Sequence, residues 1–334
     1  MNKNKKEILM KNNKKIKSNE IVMTVPRIDK IAIVIDIPNL EFATAISQNV
    51  WDELKATDSG WVQPYSYGAY STAAKIFCPD ENGEINMQEP HMLLQIRTKS
   101  KFKPHLRIEY NPSKISEKLL EHLEWSFLGI TGQSFFETLS HGRVTRHDVC
   151  TDIPYLNPED FMIKAKYARH SQNVFGQDGT LETIYFGKQK GTQYTVYKKS
   201  QQEFGDDAEM DILRVECRVR KTIPIQNLPL LDNPFKKLEF FNLKPLKHPN
   251  VHPGHWKAFT DSVRFRGSPN TALKLQPKDI RSKLKYCLSQ NKFEGWKPDN
   301  LWGVHWLNAL EGYHLLKLPN AMPFTLQTAV GEGG

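Results

Sequence analysis

An α+β fold, a largely antiparallel sheet with helices packed on one face, is what this sequence predicts. Three observations carry that expectation. Short β-branched or alternating segments recur through the first two thirds of the chain, as in Ile31–Ile37 (IAIVIDI) and His105–Tyr110 (HLRIEY). Amphipathic helical patterns stand between them rather than after every strand. The last quarter, from about residue 254, turns mainly helical.

Taken in order, residues 1–20 hold seven lysines and several asparagines and have little to bury. They predict a disordered basic arm that either touches DNA phosphates or is inert. Ile31–Ile37 reads as a strand and Asn39–Leu54 as a helix. Residues 60–78 and 91–98 read as strands separated by the polar turn Pro79–Gly83. In His105–Tyr110, Leu106, Ile108 and Tyr110 alternate with Arg107 and Glu109, a half-exposed strand. Asn111-Pro112-Ser113 stops it. In Ser116–Leu128, Leu119, Leu120, Leu123 and Phe127 recur at helical spacing. Arg143–Ile153 is the next strand, and Asn157-Pro158-Glu159-Asp160 reads as the start of a helix running to about His170. A hairpin follows, Thr183–Gly187 and Tyr194–Lys199 around Lys188-Gln-Lys-Gly191, then a strand over Leu213–Arg220. Residues 222–253 contain six prolines, which predicts a connection between a core at 21–222 and a helical region at 254–334.

With 334 residues, 39% hydrophobic and 10% aromatic, the chain can bury a sizeable core. A net charge of +9 favours a polyanionic partner, most simply nucleic acid. Cys78, Cys150, Cys217 and Cys287 are far apart and form no CxxC pair, so neither a disulfide framework nor a zinc knuckle is expected. A reducing, cytoplasmic setting fits. No apolar run approaches a membrane helix.

Chemistry concentrates in three strands. In Val144–Asp152, the residues Arg146, Asp148, Cys150 and Asp152 share one face. At about 3.3 Å per residue the two aspartate Cα atoms stand roughly 13 Å apart on a straight strand, too far to chelate one ion together. Asp148 is therefore the favoured ligand; the plain alternative is an Arg146–Asp148 surface pair. On the hairpin, Thr195, Tyr197 and Lys199 share a face, opposite Tyr194, Val196 and Lys198. A phenol with a pKa near 10 is a poor nucleophile unless a cation such as Lys199 stabilises its phenolate. With that help Tyr197 would attack a phosphodiester, keep the 5′ phosphate and release a 3′ hydroxyl. A YKK triplet alone is more often structural. In Leu213–Arg220, Glu216 stands on one face with Arg214, Arg218 and Arg220, either as a cross-strand ion-pair ladder or as a metal ligand among phosphate binders. Asp148 and Glu216 are both expected on an exposed face. Hard oxygen ligands of this kind suit Mg²⁺ or Mn²⁺.

These segments resemble the replication initiation factor family, the rolling-circle initiators of plasmids and phages with the related MOBT relaxases. Arg146-His-Asp-Val-Cys-Thr-Asp152 resembles its R-x-D-x-x-x-D strand. Thr183–Gly187 with Tyr194–Lys198 resembles its T-x-Y-x-G … Y-x-K hairpin, and Arg214-Val-Glu216 its R-x-E strand. The resemblance covers roughly residues 25–222. It implies site-specific nicking and rejoining of one DNA strand with a divalent metal. Motif by motif, it puts the nucleophile on Tyr197 and the acids on Asp148, Asp152 and Glu216. Lys198, Arg146, Arg214, Arg218, Lys188 and Lys190 are the expected DNA contacts, with Lys199 assisting the tyrosine. Origin duplex and single strand are the implied partners, with a host helicase and a second copy of the chain as further ones. The basic turn (Lys188, Lys190) and His147 depart from the family pattern. No His-hydrophobic-His pair is present.

Two other readings stand beside this one. One is a non-catalytic DNA-binding replication or partition protein on the same fold. The other is a zinc hydrolase on His248, His252 and His255, disfavoured by the prolines between them. For residues 254–317 the expected role is duplex binding or protein association through cations such as Arg264, Arg266 and Arg281, or else a cover for the sheet.

Overall fold

Local signals in the chain are realised as thirteen strands and seven α-helices among the described residues of a computed structural model. The structure describes residues 23–56, 60–65, 68–77, 84–85, 87–88, 90–97, 103–199, 211–243, 251–266 and 268–320. The basic arm at 1–20, Cys78, the turn at Pro79–Gly83, His248 and the tail after residue 320 lie outside them. The fold is α+β and its large sheet is antiparallel.

The chain packs as two compact units. One comprises Arg27–Val149, Arg218–Asp232 and the residues from Val304 onward. Its strand order is β2 (Trp61–Val62), β3 (Thr72–Ile76), β4 (Met92–Arg97), β5 (His105–Tyr110), β1 (Arg27–Asp36) and the first part of β6 (Gly142–Pro154). β1 and β5 pair in antiparallel register with Ile33 opposite Ile108. Helix α1 (Leu40–Lys55) starts where the Asn39 side chain accepts the Phe42 amide at 3.0 Å. Helix α2 (Glu117–Thr131) is capped by Ser116 and ended by Gly132 in the left-handed region. A short helix, α3 (Phe135–Ser140), follows with a full capping box between Ser134 and Glu137. Ile31, Ile33, Ile35, Phe127 and Phe135 form the buried interior of this unit. Helix α7 (Val304–Gly312) contributes Trp306, whose Nε1 donates to the Leu228 carbonyl at 2.9 Å.

The other unit comprises Cys150–Cys217, Asn233–Gly303 and the residues up to Pro26. Here the end of β6 is followed by β11 (Ile212–Val219), β10 (Gln193–Lys198), β9 (Leu181–Gly187) and β8 (Ser171–Phe175). The expected helix from Pro158 to about His170 is replaced by one 3₁₀ turn, Pro158–Asp160, and strand β7 (Phe161–Ala165). Asn157 does cap that turn, accepting from the Glu159 amide at 3.2 Å. Beyond it Phe161, Met162 and Ile163 are buried and pair with β13 (Leu238–Asn242), a partner some seventy-five residues later. Tertiary pairing overrides the helix-start signal.

The proline-rich stretch is not a bare connection. It forms β12 (Ile223–Pro224), two 3₁₀ segments and β13, and fully buries Ile225, Leu228, Phe235 and Phe240. Helices α4 (Pro253–Arg266), α5 (Pro269–Lys274) and α6 (Lys278–Gln290) share a core with Met162 and Phe241 through Trp256, Phe259, Leu273 and Leu284. Trp256 and Trp296 are buried, and their Nε1 atoms donate to the Leu243 and Leu238 carbonyls at 3.1 and 3.0 Å. Residues 254–303 thus complete the same unit as the tyrosine hairpin.

Candidate functional site

The hairpin is set by its turn. Gly187 has φ +88°, and a Cβ there would meet the Thr192 carbonyl oxygen at 2.3 Å, so only glycine closes β9 onto β10 in this way. The resulting register puts Tyr197 opposite Thr183 and Tyr194 opposite Phe186. Tyr194 is buried and its hydroxyl donates to the Pro234 carbonyl at 3.2 Å. Burial pushes its phenol well above the ordinary range, with Cys217 adding to the effect.

Asp152, Arg214 and Lys199 form one charged group, and Tyr197 lies within the electrostatic reach of Arg214. Asp152 is 6% exposed. Its two carboxylate oxygens accept from Arg214 Nε at 2.7 Å and Nη2 at 3.0 Å, a bidentate pair. Lys199 Nζ stands 3.5 Å from Asp152 Oδ2. Burial works against the charge on Arg214, but the hydrogen bonds to Asp152 and the neighbouring Cys150 and Tyr197 outweigh it and raise its pKa. Tyr197 itself is 9% exposed. Lys198, one residue on, pairs with Asp211 at 2.8 Å. Thr24 fastens the end of β6: its amide donates to the Asp152 carbonyl at 2.9 Å, and its hydroxyl accepts the Asp152 amide at 2.9 Å.

In the other unit Asp148 is 2% exposed and engaged by two arginines. Arg146 Nε donates to Oδ1 at 2.9 Å, Arg146 Nη2 also bonds the carboxylate, and Arg218 Nε reaches Oδ2 at 3.0 Å. His147, on the opposite face of β6, is buried. Burial pushes its imidazole down to about 4, with Asp148 acting the other way, and its Nδ1 has no hydrogen-bond partner among the described residues. It is neutral at physiological pH.

The exposed acidic faces expected from alternation are not what forms. Asp148 and Glu216, at 2% and 7% exposure, are buried because β6 and β11 are interior strands covered on both sides. Asp152, expected to matter less than Asp148, is the residue that meets the tyrosine's neighbours. Lys188 and Lys190 stay exposed in the turn, while Arg146 and Arg218 are half-buried on Asp148. Sequence reasoning missed the Asp152–Arg214 pair and the role of Thr24.

Mg²⁺ or Mn²⁺ would need free carboxylate oxygens. Among the described residues no three His, Cys, Asp or Glu side chains gather as a metal site. Both aspartates are charge-balanced by cations instead, so this arrangement does not fit an ion without displacing them. His252 and His255 have ring centroids 6.1 Å apart and belong to no such group.

No family model matches the chain, and no curated protein matches it. Among solved structures it is similar to a rolling circle replication initiator protein from Geobacillus stearothermophilus. That likeness has a TM-score of 0.38 and 12% identity, over 73% of this chain and 98% of that one. It is distant and carries no argument about chemistry. No helix among the described residues is long and apolar enough to cross a membrane.

Proposed function

We propose that the protein nicks and rejoins one DNA strand through Tyr197, as a rolling-circle replication initiator does. The observation that supports this best is the grouping of Tyr197 with Arg214, Lys199 and Asp152 in one unit. Tyr197 Oη bonds to phosphorus as the P–O3′ bond breaks. The phenol proton passes to solvent, and the leaving 3′ oxygen takes up a proton as a free hydroxyl. The 5′ phosphate stays on the tyrosine until a 3′ hydroxyl attacks and reverses the step. Arg214 and Lys199 oppose the charge that develops on the phenolate and phosphate in a site with little water. Asp152 keeps the guanidinium fixed and charged. Tyr194 is unsuited to attack because its hydroxyl is tied to Pro234.

Ligation of Mg²⁺ or Mn²⁺ by Asp148, Asp152 and Glu216 is a separate proposal that no step above uses. An ion would have to displace the arginines and Lys199. A non-catalytic DNA-binding protein is the competing outcome. Incubation with a library of single-stranded origin sequences, followed by denaturing gels, decides between them. The native chain should form covalent adducts, and Tyr197→Phe should form none while binding DNA within a few fold. Adducts on the Phe variant would move the role to Tyr185 or another residue. No adduct from the native chain on any substrate would leave the binding protein.

A further inference from the structure

We infer that a basic recess at the turn end of the tyrosine hairpin is a binding site for a single-stranded nucleic acid, holding its phosphates and stacking one base on Tyr167. The inference rests on the reading of Tyr197 given above but concerns a different place on the same unit.

A cavity of about 350 Å³ lies between two turns, residues 166–170 linking β7 to β8 and residues 188–192 linking β9 to β10. Lys166, Arg169, His170, Lys188 and Lys237 line it, and no aspartate or glutamate does. Glu239 has Lys166 in its field but pairs with Lys164 at 2.8 Å. The walls are stitched by backbone bonds, so the cations stand on a fixed frame. Lys166 N donates to the Lys237 carbonyl at 2.7 Å, Gly187 N to the His170 carbonyl at 2.9 Å and Gly191 N to the Lys188 carbonyl at 3.0 Å. Buried Tyr194 forms part of the lining, its hydroxyl held by Pro234.

Tyr167 is the second, independent observation. It stands at φ +66°, a conformation that side chains other than glycine's rarely take, with 89% of its surface exposed. An aromatic ring held out at the rim of a recess whose charged side chains are all basic is the combination that single strands use, a charged track for the backbone and a platform for a base. The recess is too small to admit a duplex, and a paired base has no free face to offer. From Thr192 to Tyr197 is five residues of strand, ~17 Å at about 3.3 Å each. That corresponds to about five stacked nucleotides at ~3.4 Å. One strand could thus occupy the recess and still present a phosphodiester to Tyr197.

The test uses the full chain carrying Tyr197→Phe, so that binding is read without covalent chemistry and the two readings fail separately. A fluorescein-labelled oligothymidylate of about 15 nucleotides is titrated by anisotropy across a salt series. Tyr167→Ala should weaken binding by about 5- to 150-fold, the equivalent of losing one stacked base, while Tyr167→Phe should bind as before. Arg169→Gln with Lys188→Gln should lower the slope of log K against log salt by about 1.4 in magnitude, two phosphate contacts at ~0.7 each. Equal affinity of the Ala and Phe variants, with unchanged thermal unfolding, overturns the stacking role. Tighter binding of a duplex than of the single strand, or heparin competition that tracks the same substitutions at Tyr167, overturns the single-strand assignment.

Discussion

Asp152→Asn is the sharpest perturbation the structure offers, because it removes one charge from the centre of a buried three-residue cluster. The carboxylate is 6% exposed and faces Arg214 Nε and Nη2 at 2.7 and 3.0 Å and Lys199 Nζ at 3.5 Å. Asn keeps one acceptor for Nε, loses the second, and turns an amide toward the lysine. Breaking a buried pair by removing one partner costs about 3–5 kcal/mol. The retained hydrogen bond argues for the lower end, about 3 kcal/mol. With a urea slope of ~2–3 kcal/mol/M, the unfolding midpoint should fall by about 1 M. Far-ultraviolet circular dichroism and tryptophan fluorescence measure it. Asp152→Leu combined with Arg214→Met should recover most of that loss, since apolar replacement of a whole buried pair is near neutral. The double variant should still form far fewer adducts than the native chain, because Arg214, one of the two cations assigned to Tyr197, is gone. A midpoint shift for Asp152→Asn under about 0.2 M would show that solvent already screens the cluster, and the electrostatic role given to Arg214 would fall with it.

Dialysis against EDTA should leave adduct formation in place, since the charge beside Tyr197 comes from Arg214 and Lys199; loss of adducts restored by Mn²⁺ would put Asp148, Asp152 and Glu216 back as ligands. For Glu109, burial opposes the charge, but Arg107, Lys30 and Arg146 outweigh it and hold the carboxyl below its usual value. Its contribution to stability is then complete above the unfolded pKa of about 4.3 and is lost as pH falls through the folded value. The gap in thermal midpoint between native and Glu109→Gln chains should be present at neutral pH and close in acid, and a gap constant with pH would contradict this. A chain ending at Lys221 loses β13 and the fully buried Phe235 and Phe240. At about 3–5 kcal/mol for each large aromatic removed, against a total of about 5–15, it should be insoluble or lack a cooperative transition. A soluble truncated chain that still cleaves single strands would show that the helical region is dispensable.

What could be read from the sequence divides along the range of the interactions. β1, α1, β5, α2 and the hairpin follow from patterns within ten or so residues: the Ile31–Ile37 run, Asn39 and Ser116 as caps, and Gly187 before a basic turn. β7 could not be read because its partner, Leu238–Asn242, lies in a stretch whose prolines suggested no element at all. Among the described prolines, Pro224 ends the two-residue strand β12, Pro234 opens a 3₁₀ segment and Pro253 opens α4, positions that need no amide, while Pro229 lies inside a 3₁₀ segment.

The charged residues show the same limit from the side of function. Alternation along β6 and β11 correctly puts Asp152, Arg214 and Glu216 on polar faces, but a polar face on an interior strand must satisfy its charges within the protein. Asp152 takes Arg214 and Lys199, and Asp148 takes Arg146 and Arg218. With Lys198 on Asp211, five of the cations expected to meet DNA phosphates or assist the tyrosine therefore already hold carboxylates. Cations that remain for a polyanion in the unit that carries Tyr197 include Lys188 and Lys190 of the hairpin turn and Lys166, Arg169 and Lys237 around the recess. On the proposed reading, chemistry at the base of the hairpin and recognition at its tip would be served by different charges. Substitutions in the turns should change DNA affinity and its salt dependence without touching the stability that Asp152 and Arg214 provide.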